Sequence, residues 1–235
     1  MSEREVCLQP GFILQQRPYR ESSLLLELFT RDYGIVSLLA KGVRKPKSTL
    51  AGVLLAFSEL RVSFVGRQEL KILTKADYVK DFALQRLALY CGFYVNELLQ
   101  KFLYRYDPHP ALFDAYQCCL QQLAGDAPIE QTLRYFELCL IEESGYGFDL
   151  NCEAITGGEV QPESRYRYQA DVGIVVDDER GKISGNTLMA LSQRADLSNT
   201  ALSESKALLR SVIDHQLQGR PLKSREVLGN IIRYL

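Results

Sequence analysis

The sequence predicts a multidomain α+β protein: an N-terminal β-barrel, an α-helical domain, and a small β-rich insertion inside the helical part. Three observations lead there. Apolar residues follow period two up to about residue 80, helical spacing takes over from Phe82, and Phe148–Gly185 is dense in glycine and turn formers. These changes of pattern divide the chain into 1–80, 81–147 with 185–235, and 148–184.

The β part is read from alternation and punctuation. Val6–Arg17 mixes apolar and polar residues and ends at Pro18. Ser22–Thr30 (SSLLLELFT) is a strand closed by the turn Arg31-Asp32-Tyr33-Gly34. Gly34–Lys41 is the next strand. Leu54–Val65 follows, with Phe57, Leu60, Val62 and Phe64 competing for one face. Gly66-Arg67-Gln68 reads as a hairpin turn, and Glu69–Val79 completes the set. Five short strands in roughly 75 residues suit a small closed barrel, which removes exposed edges. An OB barrel is the first choice and an SH3-like barrel the alternative.

In the helical part, Leu84, Leu87, Tyr90, Cys91, Tyr94, Leu98 and Phe102 form an i, i+3, i+4, i+7 stripe, ended by Asp107-Pro108-His109-Pro110. A second helix covers about Ala111–Ala124. A third runs from Ile129 to Ser144, before Gly145-Tyr146-Gly147. In the insertion, Tyr166-Arg167-Tyr168 and Gly173–Val176 read as two short strands. Asn186–Arg194 and Leu202–Gly219 return to helix, and Pro221 opens a last one.

Composition excludes several classes. The 235 residues are 46% hydrophobic and 24% charged, as in ordinary folded proteins. No apolar run is long enough to span a membrane. The six cysteines form no C-x-x-C pair, which fits a reduced, cytoplasmic setting. Phosphate-loop, dinucleotide and nucleophile-elbow motifs are absent. His109 and His215 have no partners at metal or triad spacing in the sequence, and Asp177-Asp178-Glu179 reads as a solvated turn. Nothing here argues for an enzyme.

Charge is distributed unevenly. The net charge is −1, but residues 1–78 hold 12 Lys+Arg against 8 Asp+Glu, leaving 16 against 21 for the rest. The densest cations are Lys41, Arg44, Lys45 and Lys47, with no acid between Gly34 and Leu50. A strand feeding a cationic, turn-forming loop suits a phosphate backbone, although a solvated basic loop has the same composition. Arg67 and Lys71, at the last barrel hairpin, are further DNA-binding candidates. Tyr19, Tyr33, Phe57 and Phe64 are possible stacking rings, the two phenylalanines being better read as core. Lys223 and Arg225 on the last helix are candidates for DNA or for packing. Arg134, one turn before Leu138, could clamp a carboxylate beside an apolar groove. It could equally pair with Glu130 or Glu137.

Together these segments resemble the RecO family of bacterial recombination mediators. The resemblance rests on PYRESSLLLELFT (Pro18–Thr30), GIVSLLAKGVR (Gly34–Arg44), Tyr94–Leu98, Arg134–Glu137 followed by Gly145-Tyr146-Gly147, and GRPLKSRE (Gly219–Glu226). It implies an N-terminal OB domain, a helical domain and a zinc-ribbon-like insertion. It implies a non-enzymatic role in DNA repair: binding single- and double-stranded DNA, annealing complementary strands, and helping to load the recombinase. The implied partners are RecR and the acidic, apolar-ended tail of the single-strand-binding protein, docking at Arg134 and Leu138. The implied location is the bacterial cytoplasm, at the nucleoid. Many family members carry two cysteine pairs in the insertion, whereas here Cys152 stands alone, and Ile155 and Val175–Asp178 offer no thiol. One thiolate cannot hold structural zinc, so the expected insertion is metal-free, with no cofactor. The alternatives are a protein–protein adaptor, which the acidic remainder permits, and an RNA-binding OB protein without annealing activity.

Overall fold

The computed structural model describes residues 5–234, with side chains described through 227 and at 229. The β-rich part comprises β1 (Glu5–Tyr19), β2 (Ser23–Thr30), β3 (Gly34–Ala40), β4 (Ser58–Val65) and β5 (Leu70–Asp81). β1 is long enough to serve two neighbours. Gly11–Tyr19 pairs with β2, and Glu5–Gly11 pairs with β4. Register shifts between Val6 and Gln9 and between Ile13 and Gln15 bend it between the two. A short parallel pairing, Ser37↔Leu70 to Leu39↔Ile72, joins β3 to β5 and closes the sheet in the order β1-β2-β3-β5-β4.

Alternation sorts the inner faces. Ile13, Leu26, Leu28, Val36, Leu38, Leu60, Val62 and Phe64 meet in one buried cluster. β4 begins later than the sequence pattern suggests, at Ser58 instead of Leu54. The preceding residues make a 3-10 turn, Thr49–Gly52, with Leu50, Val53 and Leu54 folded against the inner cluster. Phe57 is not on the inner face. It takes φ +59 and packs edge-on against Phe93, 5.1 Å between ring centroids.

Gly11–Leu14 does not alternate, because both faces of β1 are buried there. Helices α1 (Arg86–Phe102) and α2 (Pro110–Ala124) account for the second face. Phe12 meets Phe113 at 5.3 Å and Tyr116 at 5.1 Å, and Phe29 meets Phe113 at 5.4 Å. The buried Tyr116 hydroxyl donates to Asn96 Oδ1 (2.6 Å), and Asn96 Nδ2 donates to the Leu14 carbonyl (3.2 Å). The polar groups that these helices bring inside are therefore satisfied.

The described residues form two compact units. One runs through Gly125 and includes the residues from Leu222 onward; the other is Asp126–Pro221. The divisions read from the sequence, 1–80, 81–147 with 185–235, and 148–184, follow changes in local period, whereas these units follow packing. The first unit also holds α6 (Lys223–Tyr234).

The second unit contains α3 (Ile129–Ile141), which widens into a π-type turn at Glu142–Tyr146. A three-stranded sheet follows, ordered β7 (Gly173–Val176), β6 (Arg165–Gln169), β8 (Ile183–Ser184). The unit ends with α4 (Gly185–Ser192) and α5 (Asn199–Gln216). Among the described residues no helix is long and apolar enough to cross a membrane.

Candidate nucleic-acid interface

The cationic loop leaves β3 at the buried Ala40 and is pinned to the sheet. Gly42 turns the chain with φ +69, a conformation that glycine adopts without a Cβ penalty. Val43 then enters the inner cluster, only 2% exposed. The Arg44 amide donates to the Ser22 carbonyl (2.9 Å), tying the loop to the β1–β2 turn. Lys41, Arg44, Lys45 and Lys47 are all exposed around this apolar anchor. Their backbone is held while their charges face water, which keeps the cost of ordering low when an anion binds.

The structure adds a cation that sequence reading missed. Arg20, in the β1–β2 turn, joins Lys41 and Lys45 around a concavity of about 700 Å³, which Tyr19 and Glu21 also line. The Arg20 guanidinium lies over the Tyr19 ring, 5.3 Å from its centroid, and the Arg20 carbonyl accepts from Arg44 Nη1 at 3.3 Å. Arg20 is far from Lys41 in the chain. The antiparallel register Leu24↔Ala40 brings the two turns side by side.

The other candidates do not join this cluster. Because β5 pairs in parallel with β3 from Ser37↔Leu70 onward, the Gly66–Glu69 hairpin lies toward the Gly34 end of β3. The cationic loop leaves the other end, ~20 Å away at about 3.3 Å per residue. Lys71 Nζ is held by the Gly66 and Gln68 carbonyls (3.4 and 3.2 Å) and sits 4.9 Å from the Tyr106 ring centroid. Lys223 and Arg225 belong to the first turn of α6. There the Glu97 carboxylate accepts from the Lys223 and Ser224 amides (3.0 and 2.8 Å) and from the Ser224 hydroxyl (2.5 Å). Burial raises the Glu97 carboxyl, but these hydrogen bonds outweigh it and hold the group below the usual carboxylate range. A carboxylate at a helix N-terminus also offsets the placement of two cations there.

Arg134 and Leu138 lie inside the second unit. Arg134 is 6% exposed and Leu138 is 2% exposed. Arg134 Nη2 donates to Glu137 Oε1 at 2.6 Å, and its Nε is buried with no partner. The local pair is thus with Glu137, while Glu130 faces Lys206 at 3.5 Å. Burial changes what the pair is worth.

The insertion offers no zinc set. Cys152 is unpaired, and local burial together with Asp149 and Glu159 raises its thiol, the opposite of a ligand's thiolate. Among the described residues no group of three or more His, Cys, Asp or Glu side chains could hold a metal ion. The residues present do not fit the metal. What ties the small sheet to the helices is Glu204 on α5. It accepts from Thr187 Oγ1 (2.6 Å), the Ser184 hydroxyl (2.7 Å), the Ser184 amide (2.9 Å) and Arg165 Nη1 (2.7 Å). Burial raises this carboxyl, yet the hydrogen bonds bring it down to about 2.

A carboxyl lowered in the folded state stabilises above its unfolded pKa and loses that contribution as pH falls toward the folded value. Glu204→Gln is therefore expected to cost about 2 kcal/mol near neutral pH, the scale of hydrogen bonds to a charged group. The gap between parent and variant should close between about pH 5 and the folded pKa of about 2. Urea denaturation at several pH values checks this, and a gap independent of pH would count against it.

The family profile described as "Recombination protein O N terminal" matches residues 1–82, and that described as "Recombination protein O C terminal" matches 84–226. The first ends where the five-stranded sheet ends. The DNA repair protein RecO of Methylococcus capsulatus is 44% identical over 224 residues, covering 94% of this chain and 93% of that one. Its namesake from Aromatoleum aromaticum is 42% identical over 237 residues, covering 98% and 99%. That from Cupriavidus metallidurans is 40% identical over 233 residues, covering 97% and 78%. Identity at this level over nearly the whole length, with both profiles matched in order, shows that this chain belongs to the RecO family.

Proposed function

We propose that the protein is a non-catalytic mediator of recombinational DNA repair that binds single- and double-stranded DNA through its N-terminal sheet. The observation that carries this is the convergence of Arg20, Lys41, Arg44 and Lys45 from two turns onto one end of a closed sheet, in a chain of net charge −1. The strand order β1-β2-β3-β5-β4, closed through β1, supports an OB fold, whose loops flank a nucleic-acid-binding face.

The mechanism is electrostatic. Fixed cations neutralise phosphates on two strands, their mutual repulsion falls, and complementary bases can meet. Arg67, Lys71, Lys223 and Arg225 are further phosphate contacts in this reading, on separate parts of the surface. The free cysteines support a reducing, cytoplasmic setting, and a place at the nucleoid follows from the DNA binding proposed here.

RecR and the single-strand-binding protein's tail belong to the same proposal. Because Arg134 and Leu138 are 6% and 2% exposed, a tail carboxylate would exchange for Glu137 on Arg134, with Leu138 bordering the tail's apolar end, only after local opening around α3. The unpartnered Arg134 Nε supports this, since a second acceptor would satisfy it.

The test is the triple change Arg44→Ala, Lys45→Ala, Lys47→Ala, which leaves Val43 and the sheet intact. Single-strand binding should lose about 0.7 per phosphate contact from the slope of log affinity against log salt, roughly 2 in all. Unchanged slope and affinity in a low-salt titration would remove the loop from the interface.

A further inference from the structure

We propose that the end of the closed sheet opposite the cationic loop holds a nucleobase of single-stranded DNA, stacked against Tyr33. This rests on the DNA-binding reading above and adds a base contact to it. A cavity of about 750 Å³ opens there, walled by Val6, Tyr33, Phe64 and Tyr106 and rimmed by Arg67 and Lys71.

Tyr33 is the exposed wall. It is 39% exposed at the tip of the β2–β3 turn, although the ring stands edge-on against the buried Phe64, 5.9 Å between centroids and 84° between planes. The backbone beneath it is immobilised. Gly34 takes φ +63, and a Cβ there would overlap the Asp107 backbone. The opposite wall is equally determined: the Tyr106 amide donates to the Ile35 carbonyl (3.1 Å), and its hydroxyl donates to the Glu69 carbonyl. A preset aromatic face that water still reaches suits a flat, sequence-tolerant stacking partner.

The rim chooses among occupants. Lys71, already above the Tyr106 ring, and the exposed Arg67 supply positive charge for the phosphate beside a stacked base. Glu69 also lines the cavity. Its carboxylate can accept from an N–H on a base edge, thymine N3–H included, whereas it repels the carboxylates of an acidic peptide. Continuity with the phosphate cluster supports the same choice. Between the two ends, Arg17 of β1 and Arg105, bridged to Ile35, line the surface along β2 and β3 together with Glu27 and Glu69, and Glu27 is already occupied by Arg105 and Gln100, each at 2.7 Å. The ~20 Å from loop to pocket spans about six stacked nucleotides at 3.4 Å each, within the 4–16 that one OB fold covers.

The experiment compares a 12-nucleotide thymidine strand with an abasic strand of equal length, bound to the full chain across a salt series. Tyr33→Ala should weaken binding of the thymidine strand roughly 10-fold, the scale of one lost stack, while abasic binding and the salt slope stay at parent values. Tyr33→Leu keeps apolar volume against Phe64 without a π face, and should reproduce the loss if the alanine variant folds poorly. Tyr33→Phe should bind like the parent. Parent-like thymidine binding by both the Ala and Leu variants would overturn the pocket alone. So would their loss of binding to an acidic, apolar-ended peptide with DNA binding kept, which would make the cavity a protein site. A parent that binds neither strand would overturn the DNA reading itself.

Discussion

Arg134→Ala is expected to destabilise the protein by about 3–5 kcal/mol, far more than an exposed helical ion pair is worth. The difference lies in burial. The side chains of Arg134 and Glu137 are 7% and 3% exposed, 2.6 Å apart. Removing the guanidinium leaves a carboxylate in a site that water does not reach. Its desolvation is then no longer offset by the opposite charge at 2.6 Å, and the cost of breaking a buried pair exceeds the worth of the interaction itself. Replacing both charges, as Arg134→Met with Glu137→Leu, should recover most of the loss, because neither charge is then stranded.

Chemical denaturation followed by circular dichroism measures both variants. A loss below about 1 kcal/mol for the single variant would show that the pair behaves as a surface pair. The double variant also separates structure from recruitment. If it folds but fails to bind the single-strand-binding protein's tail, Arg134 contacts the peptide. If it folds and binds normally, the arginine serves only the fold, and the tail docks elsewhere.

Phe12→Ala should cost about 3–5 kcal/mol, the range for emptying a well-packed aromatic site. Phe12 is fully buried on the outer face of β1, among Phe82 (6.0 Å), Phe113 (5.3 Å) and Tyr116 (5.1 Å). Its neighbour Ile13 faces the inner cluster, so the variant leaves the interior of the sheet in place. The damage should fall on the packing of α2 against β1. Amide exchange in α2 should accelerate more than in β2 and β3, and uniform acceleration would contradict this division. Phe12→Leu, which refills part of the space, should cost roughly 1 kcal/mol.

Legibility in the sequence follows the range of the interactions. The turn Arg31–Gly34 is legible because turn residues act within four positions; the contact of Gly34 with Asp107 is not, because it depends on where the chain returns after α1. β4 starts late although Leu54 and Phe57 look like strand residues, because Leu54 joins the inner cluster and Phe57 packs against Phe93. Arg20 carries no local signal at all. The sequence shows one arginine before one glutamate, and only the β2–β3 register makes it a neighbour of Lys41. Arg134 illustrates the reverse: the sequence contains both candidate partners, but not that the chosen one would be inside.

By itself the sequence determined the order of β, helical and inserted segments, the family resemblance, the cationic loop, and the loss of the cysteines that a zinc site needs. All of these rest on residue type and spacing along the chain. The tertiary structure decided which cations face one another, which aromatic ring stays open to solvent, and which charge is buried. Those depend on how β1 divides its pairing between β2 and β4 and how β3 meets β5. Sheet closure of this kind joins residues far apart in sequence, and periodicity, which reports only the face on which a side chain lies, carries no information about it.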